Sequence, residues 1–482
     1  MPAISGREYL ERVDRLNSNI WLDGKKVEGK LSEHNAFSGV LKSQSRLYDF
    51  QLKDSMINTM TYKSPLTNNL VGLSYMEPKT KEDLEKRRFM IQQWAKLSGG
   101  TLGRSPDYMN TVLMAIASSA KILSKQDETF TKNLTSFYEE AREKDITLTH
   151  TFVNPQVNRS RTHFENEDEI IAAQPIKKTE DGLIIQGARL LATQGGITDE
   201  ILVLPSPAAA YNRDLAYGFS IPSNSKGLKF ICRESFVYND STFDHPLSSR
   251  FEEMDTIVVF DHVLVPWERV FFYDHPEIAH EIYSDSSFFP LTTHQVLCRR
   301  VIKTEFVLGI AQLLTETINV SEYHHVQEKI SEIITGVESL KALLLTSELH
   351  AKLNKWNTII PDENQLKVAT SLYPQLYPRF MEILQLIGAS GLIALPTEKD
   401  FFSEELNKDL NTYLQAANAK AFDRVKLFRL GWDLCMSAFG SRQTLYERFF
   451  FGDPVRSACG LYQSYNKEPY TEYVKDFLNK NM

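Results

Sequence analysis

Two changes of periodicity divide this chain and limit what it can fold into. Residues 1 to about 145 carry apolar side chains at helical spacing. Residues 146 to about 278 carry short β-branched runs closed by Gly, Pro, Asn and Ser. From about 279 to 482 long helical spacing returns. At the first change stands Leu148-Thr-His150-Thr-Phe-Val-Asn154-Pro155-Gln156-Val157-Asn158-Arg159. A residue before proline avoids the α region, so Asn154 and its polar neighbours sit on extended chain or loop. A seam between two kinds of structure is a common place for a ligand site. A polar surface loop is the alternative.

The helical segments carry their own start and stop signals. Ser5-Gly-Arg-Glu8 and Thr80-Lys-Glu-Asp83 have the capping-box spacing, and Gly99-Gly100 ends the second run. Ser105-Pro106-Asp107-Tyr108 predicts a helix with serine at the N-cap and proline in the first turn. Strands are predicted at Leu183–Ile185, Glu200–Leu204, Tyr217–Ile221, Leu228–Cys232 and Thr256–Val265, with Gly195-Gly196 as a tight turn. Four long helical runs follow, at about 293–318, 321–353, 366–393 (interrupted by Pro374 and Pro378) and 403–450. The expected class is α+β, mostly α. It has an N-terminal helical domain (1–145), a small antiparallel β-barrel or sandwich (146–278) and a C-terminal four-helix bundle (279–482).

Charge and cysteines exclude several function classes. With a net charge of -8 and no basic stripe, a nucleic-acid binder is not indicated. The N-terminus lacks an apolar signal core, and no run is apolar enough to span a membrane, so a cytoplasmic protein is expected. Cys232, Cys298, Cys435 and Cys459 are far apart and form no metal knuckle, so no metal site is expected. No Gly-x-Gly-x-x-Gly follows a strand, so the chain has no nicotinamide-binding unit of the doubly wound kind, and it has no phosphate loop.

Three residue groups could carry chemistry. His150 could act near neutral pH as a base or as partner to an acidic hydroxyl, or be structural. Arg104 and Tyr108 flank a helix start, where a cation, a phenol and free backbone N–H groups suit an anionic or phenolate oxygen. A surface arginine beside a packed tyrosine is the alternative. Arg442 and Arg448 could meet a phosphate or pair with Glu447.

Taken in order, several motifs resemble the oxygenase component of the flavin-dependent 4-hydroxyphenylacetate 3-monooxygenases. They are Ile20-Trp-Leu-Asp-Gly24, Gly103-Arg104-Ser-Pro-Asp-Tyr108, His150 with Val153-Asn-Pro155, Gly187-Ala-Arg-Leu-Leu-Ala-Thr193, Val265-Pro-Trp-Glu-Arg-Val270, His294-Gln295 and Leu445-Tyr-Glu-Arg through Gly452. The resemblance implies the acyl-CoA dehydrogenase-like fold and a homotetramer. It implies FAD, delivered as FADH2 by diffusion from a separate NADH-dependent flavin reductase, with O2 as co-substrate. A flavin hydroperoxide would then hydroxylate a phenol ortho to its oxygen, converting 4-hydroxyphenylacetate to 3,4-dihydroxyphenylacetate.

By the same resemblance, Arg104, Tyr108 and His150 are the catalytic and substrate-binding residues, with Pro205 and Ser206 in a lid over the substrate. Flavin contacts map onto Gln156, Val157, Asn158, Arg159, Thr193, Gly452, Asp453, Pro454 and Val455. A phenol ionises near pH 10, and a nearby cation or hydrogen bond favours the ionised form that ortho attack needs. Two enzymes of the same fold compete: a flavin and iron–sulfur hydroxyacyl-CoA dehydratase, which needs clustered cysteines, and an acyl-CoA dehydrogenase, which needs a glutamate base over the flavin. A helical scaffold without flavin is the non-enzyme alternative.

Overall fold

The computed structural model describes residues 2–157, 170–207 and 211–479. The chain is mostly helical, with sheets confined largely to its middle third. Helices α1 (Gly6–Arg15), α2 (Asn35–Gln51), α3 (Lys81–Leu97), α4 (Pro106–Ala117) and α5 (Glu128–Lys144) make most of the N-terminal segment. The capping boxes at Ser5/Glu8 and Thr80/Asp83 are both formed. Ser105 is the N-cap of α4 with Pro106 at its first position, but its side chain caps nothing.

This segment is not purely helical. Strands β1 (Ile20–Leu22) and β2 (Lys25–Lys26) leave it and join the middle sheet. The middle strands are β3 (Leu148–Thr151), β4 (Gln174–Lys178), β5 (Gly182–Thr193), β6 (Glu200–Val203), β7 (Gly218–Pro222), β8 (Leu228–Cys232), β9 (Asp255–Pro266) and β10 (Val270–Phe272). They form a six-stranded sheet, order β2-β1-β8-β9-β5-β4, and a four-stranded sheet, order β10-β7-β6-β3. Of the expected barrel or sandwich, the described residues show two sheets that each keep two edges and do not join into a closed barrel. Pairing is antiparallel except for β1 with β8 and β3 with β6, which run parallel. The Val153–Leu190 bridge ties the end of β3 to β5. Gly195 and Gly196 form the expected turn, with Gly196 at φ +84°.

The C-terminal helices are α6 (Phe288–Thr317), α7 (His324–Leu349), α8 (Glu363–Gly388), α9 (Ala421–Cys435) and α10 (Ala438–Phe449). Helix α8 runs unbroken through Pro374 and Pro378, contrary to the expected interruption. An internal proline costs a helix roughly 3 kcal/mol, and the buried Tyr373, Tyr377 and Phe380 packing outweighs it. The expected single helix over 403–450 is instead broken. Short turns at Glu398–Phe401 and Asn407–Tyr413 precede α9, and a new N-cap at Ser437 starts α10.

Gly452, at φ +88°, ends that run, and Asp453 then caps a new helix, α11 (Pro454–Ser464). Helix α12 (Glu468–Asn479) follows, and neither of these last two helices buries a residue. One continuous apolar core runs from Ile4 through the sheets to Phe439. Among the described residues no helix is long and apolar enough to cross a membrane.

Candidate active site

Helix α4, strand β3 and helix α10 bring Tyr108, His150 and the Tyr446–Phe450 segment against one another. Proline at the first position of α4 fixes the helix start, which puts Tyr108 in its first turn and Arg104 just ahead of it. The Arg104 guanidinium lies 4.4 Å from the Tyr108 ring centre and 5.1 Å from that of Phe450. The Tyr108 and His150 rings are 5.8 Å apart, and Phe450 meets Tyr108 edge-on at 5.5 Å. The sequence thus named three residues that the fold does assemble.

His150 is the centre of this group. It sits mid-strand, paired with Leu202 on β6, and is only 8% exposed. Among the described residues neither ring nitrogen has a hydrogen-bond partner. Leaving a buried polar group unpaired costs roughly 1–3 kcal/mol, and both imidazole nitrogens are open to a hydrogen bond from a ligand. Burial holds the imidazole well below its ordinary range, and the Arg104 charge adds to this. His150 is therefore neutral near pH 7, with one N–H to donate and one lone pair to accept. Burial also raises the Tyr108 hydroxyl, and Arg104 and Arg299 offset only part of that, so Tyr108 stays a phenol.

Arg104 is fixed from several sides without a carboxylate on its guanidinium. Glu253 accepts from the backbone N–H groups of Gly103 and Arg104, at 2.9 and 2.6 Å. Gln194 joins the same carboxylate at 3.1 Å. The guanidinium Nη1 donates to the Tyr446 hydroxyl at 2.7 Å. Behind Tyr446 lies an excess of buried cations: Arg299, Arg300 and Lys303 all meet the single carboxylate of Glu447. Burial opposes the ionised Glu447, but Arg299, Lys303 and Arg300 together hold it well below the carboxylate range. Burial pushes the Lys303 ammonium down to about 8, against the pull of Glu447.

Glu447 is thus not a partner of Arg442 or Arg448. Arg442 grips Asp255 instead, at 2.5 and 2.6 Å, so it is committed to the protein rather than open to a phosphate. Glu253 carries no sequence signal, and Tyr446 and Phe450 fall within the motif from Leu445 through Gly452 without a role that the sequence assigns at this site. The motif marks the run that holds Tyr446, but its contact with Arg104 is a pairing only the fold reveals.

The expected flavin residues are only partly brought together. Asn158 and Arg159 lie outside the described residues. Gln156 and Val157 are exposed, at the end of the segment that the Val153–Leu190 bridge holds to β5. Thr193 closes β5 and donates its hydroxyl to Asp255 at 2.7 Å. Burial of Asp255 is outweighed by Arg442 and Arg233, which hold its carboxyl well below the ordinary range, so Thr193 can only donate to it. Two residues earlier, Leu191 is 55% exposed inside the strand at φ +60°.

An apolar side chain turned out of a strand beside a committed hydroxyl suits the face of a flat aromatic ring, so these residues fit a flavin. Gly452, Asp453, Pro454 and Val455 lie at the start of α11, and no hydrogen bond or ion pair joins them to Thr193 among the described residues. Asp453 caps its own helix through the Val455 N–H. In the expected lid, the buried Pro205 accepts through its carbonyl from Tyr283 at 2.5 Å, and Ser206 is half-buried.

The similarity to known proteins covers both halves of the chain. Residues 5–272 match the family model of the 4-hydroxyphenylacetate 3-hydroxylase N terminal, and residues 279–479 that of its C terminal. The chain is 55% identical over 479 residues to a probable 4-hydroxyphenylacetate 3-monooxygenase of Bacillus subtilis, covering 99% of each. It is 44% identical to the oxygenase component of 4-hydroxyphenylacetate 3-monooxygenase solved with FAD and 4-hydroxyphenylacetate. That alignment covers 98% of each chain at a TM-score of 0.94. An archaeal 4-hydroxybutyryl-CoA dehydratase from N. maritimus shares the fold at a TM-score of 0.87 and 18% identity, over 99% of this chain and 95% of that one. The chain belongs to the 4-hydroxyphenylacetate 3-hydroxylase family.

Proposed function

We propose that this chain is the oxygenase of a two-component hydroxylase that uses reduced FAD and O2 to place a hydroxyl ortho to the oxygen of a phenol, with 4-hydroxyphenylacetate as the substrate. The observation that carries this is His150: buried, neutral and unpartnered at both nitrogens, beside an arginine with no acid on its guanidinium. In this reading the phenol oxygen sits among Arg104, Tyr108 and His150. Neutral His150 takes the phenol proton, the Arg104 charge stabilises the phenolate, and the Tyr108 hydroxyl donates to it. The excess of cations behind Tyr446 adds to the favourable potential. Pro205 and Ser206 cover the substrate and exclude water.

FAD, once reduced, supplies the activated oxygen, and the protein's part is to hold both molecules in register. Gln156 through Arg159 and Thr193 would hold the flavin from the sheet side. Gly452 through Val455 would do so from a second copy of the chain, since no hydrogen bond or ion pair joins them to Thr193 within one copy among the described residues. The exposed apolar faces of α11 and α12 support a homotetramer in which those helices are covered. The same reading divides the chain into domains at 1–145, 146–278 and 279–482. It takes α6, α7, α8 and the broken α9–α10 run as the members of a four-helix bundle, and the curved pair of sheets as the counterpart of the barrel. A separate NADH-dependent reductase would deliver FADH2 by diffusion, in the cytoplasm.

The dehydratase reading of the same fold requires clustered metal ligands. Among the described residues no three His, Cys, Asp or Glu side chains stand together in a way that could hold a metal. The experiment is product analysis: the purified chain, a generic flavin reductase, NADH, FAD and a panel of phenols in air. The reading expects a catechol from 4-hydroxyphenylacetate and no NADH consumption without the reductase. Steady NADH turnover by the chain alone, or no catechol from any phenol, would overturn it.

A further inference from the structure

We infer that Tyr446 is a positioning residue for this reaction: its neutral hydroxyl holds the Arg104 guanidinium at the phenol oxygen, so the cation is fixed in place without being neutralised. This rests on the reading of Arg104 as the phenol's cation. A carboxylate is the strongest partner a guanidinium can have. Here the Glu253 carboxylate takes the Gly103 and Arg104 backbone N–H groups and not the guanidinium. The guanidinium is left with the Tyr446 hydroxyl at 2.7 Å and the Gly103 carbonyl at 3.4 Å, together with aromatic faces. A carboxylate in Tyr446's place would bind it more tightly and cancel the charge the phenolate needs.

Two further observations place Tyr446 in this role. First, a Cβ on Gly103 would stand 2.2 Å from the Tyr446 hydroxyl oxygen, so the glycine makes room for the contact. Second, the Tyr446 ring is pinned by Phe450 edge-on at 5.2 Å and by the Arg299 and Arg442 guanidinium groups at 5.8 and 5.4 Å. The hydroxyl is therefore a fixed point. Without it, the guanidinium is free to swing toward Glu253, which would neutralise it. The charged and titratable groups around Arg104 are Glu253 ahead of β9, Tyr108 on α4, His150 on β3, Tyr446 on α10 and, behind Tyr446, Arg299 on α6.

The test reads the ionisation of a bound phenol. 4-Nitrophenol changes colour when it ionises, so its state can be followed while bound to the protein carrying reduced FAD under anaerobic conditions. In wild type the bound phenol should ionise at lower pH than free 4-nitrophenol. In Tyr446→Phe, which keeps the ring packing, ionisation should move back toward the free value. The phenolate should bind roughly three- to ten-fold more weakly, the range expected for one lost hydrogen bond. Binding of the neutral phenol at low pH should change little, a split that a general loosening of the fold would not produce.

Gly103→Ala perturbs the same contact from the other side and should shift the titration in the same direction. If Tyr446→Phe and Gly103→Ala both titrate as wild type does, the inference is overturned. If wild type itself binds the phenol without lowering its ionisation, the reading of Arg104 fails first.

Discussion

The His150 ring lies flat on Phe152, with ring centres 4.0 Å apart and planes 10° from parallel. The two residues alternate along one strand end, so both face the same side of the sheet. The stack fixes the plane of the imidazole while leaving its edge, and both nitrogens, uncovered by any partner. A base that must meet one proton on one ligand benefits from that geometry. Phe152 is therefore expected to matter to rate more than to fold. Phe152→Leu should keep flavin affinity and melting temperature near wild type while lowering the hydroxylation rate roughly ten-fold through misplacement of the base. A stopped-flow measurement of catechol formation checks this. An unchanged rate would mean the stack has no part in positioning His150.

The depressed His150 pKa has a consequence for stability with a definite sign. The unfolded chain gains a proton on this imidazole as pH falls through about 6.5, whereas the folded chain resists it. Protons then bind preferentially to the unfolded state, so folding stability falls as pH drops below about 6.5 and continues to fall until the folded pKa is reached. His150→Asn removes this contribution. The melting temperature of the variant should therefore decline less steeply than wild type between about pH 6.5 and 5. Parallel curves for the two proteins in that window would show that His150 is not held neutral by the fold.

Thr193 and Asp255 set an expectation about flavin redox state. Asp255 is kept ionised by Arg442 and Arg233, so the Thr193 hydroxyl proton is committed to it and the threonine oxygen can serve a ligand only as an acceptor. Reduced FAD carries ring N–H donors that oxidised FAD lacks. Affinity should therefore favour the reduced form, and Thr193→Val should narrow the difference while Thr193→Ser preserves it. Anaerobic and aerobic titrations of each protein provide the comparison. Equal affinities of wild type for the two forms would contradict the account.

Much of the architecture could be read from the sequence, and the departures have physical causes. Leu228–Cys232 was placed to the residue because a β-branched run between turn residues is a local signal. Ile20–Leu22 was not, because three residues carry no periodicity and its partner strand is some two hundred residues away in sequence, a pairing only the fold reveals. Pro374 and Pro378 suggest a break that tertiary packing prevents, whereas the run from 403 to 450 breaks between Tyr413 and Ala421 and again at Met436–Ser437, with no proline at either place. Arg104, Tyr108 and His150 stand out by their chemistry at a helix start and a seam, and the family motifs give them their joint role. Tyr446 lies in a motif, but it acts through a contact more than three hundred residues distant in sequence, so no local pattern gives its partner.

The central claim is that His150, with Arg104 and Tyr108, prepares the phenol while the flavin does the oxygen chemistry. The most direct measurement is the ratio of catechol to hydrogen peroxide formed per reduced FAD consumed, across pH, in wild type and in His150→Asn. The account predicts that the variant still consumes reduced FAD and O2 but loses roughly 10²–10⁴-fold in hydroxylation rate at neutral pH, the usual cost of removing a base. Peroxide should then replace catechol, and raising the pH should restore part of the catechol as solvent base supplies the phenolate. A wild-type ratio in His150→Asn at neutral pH would contradict it.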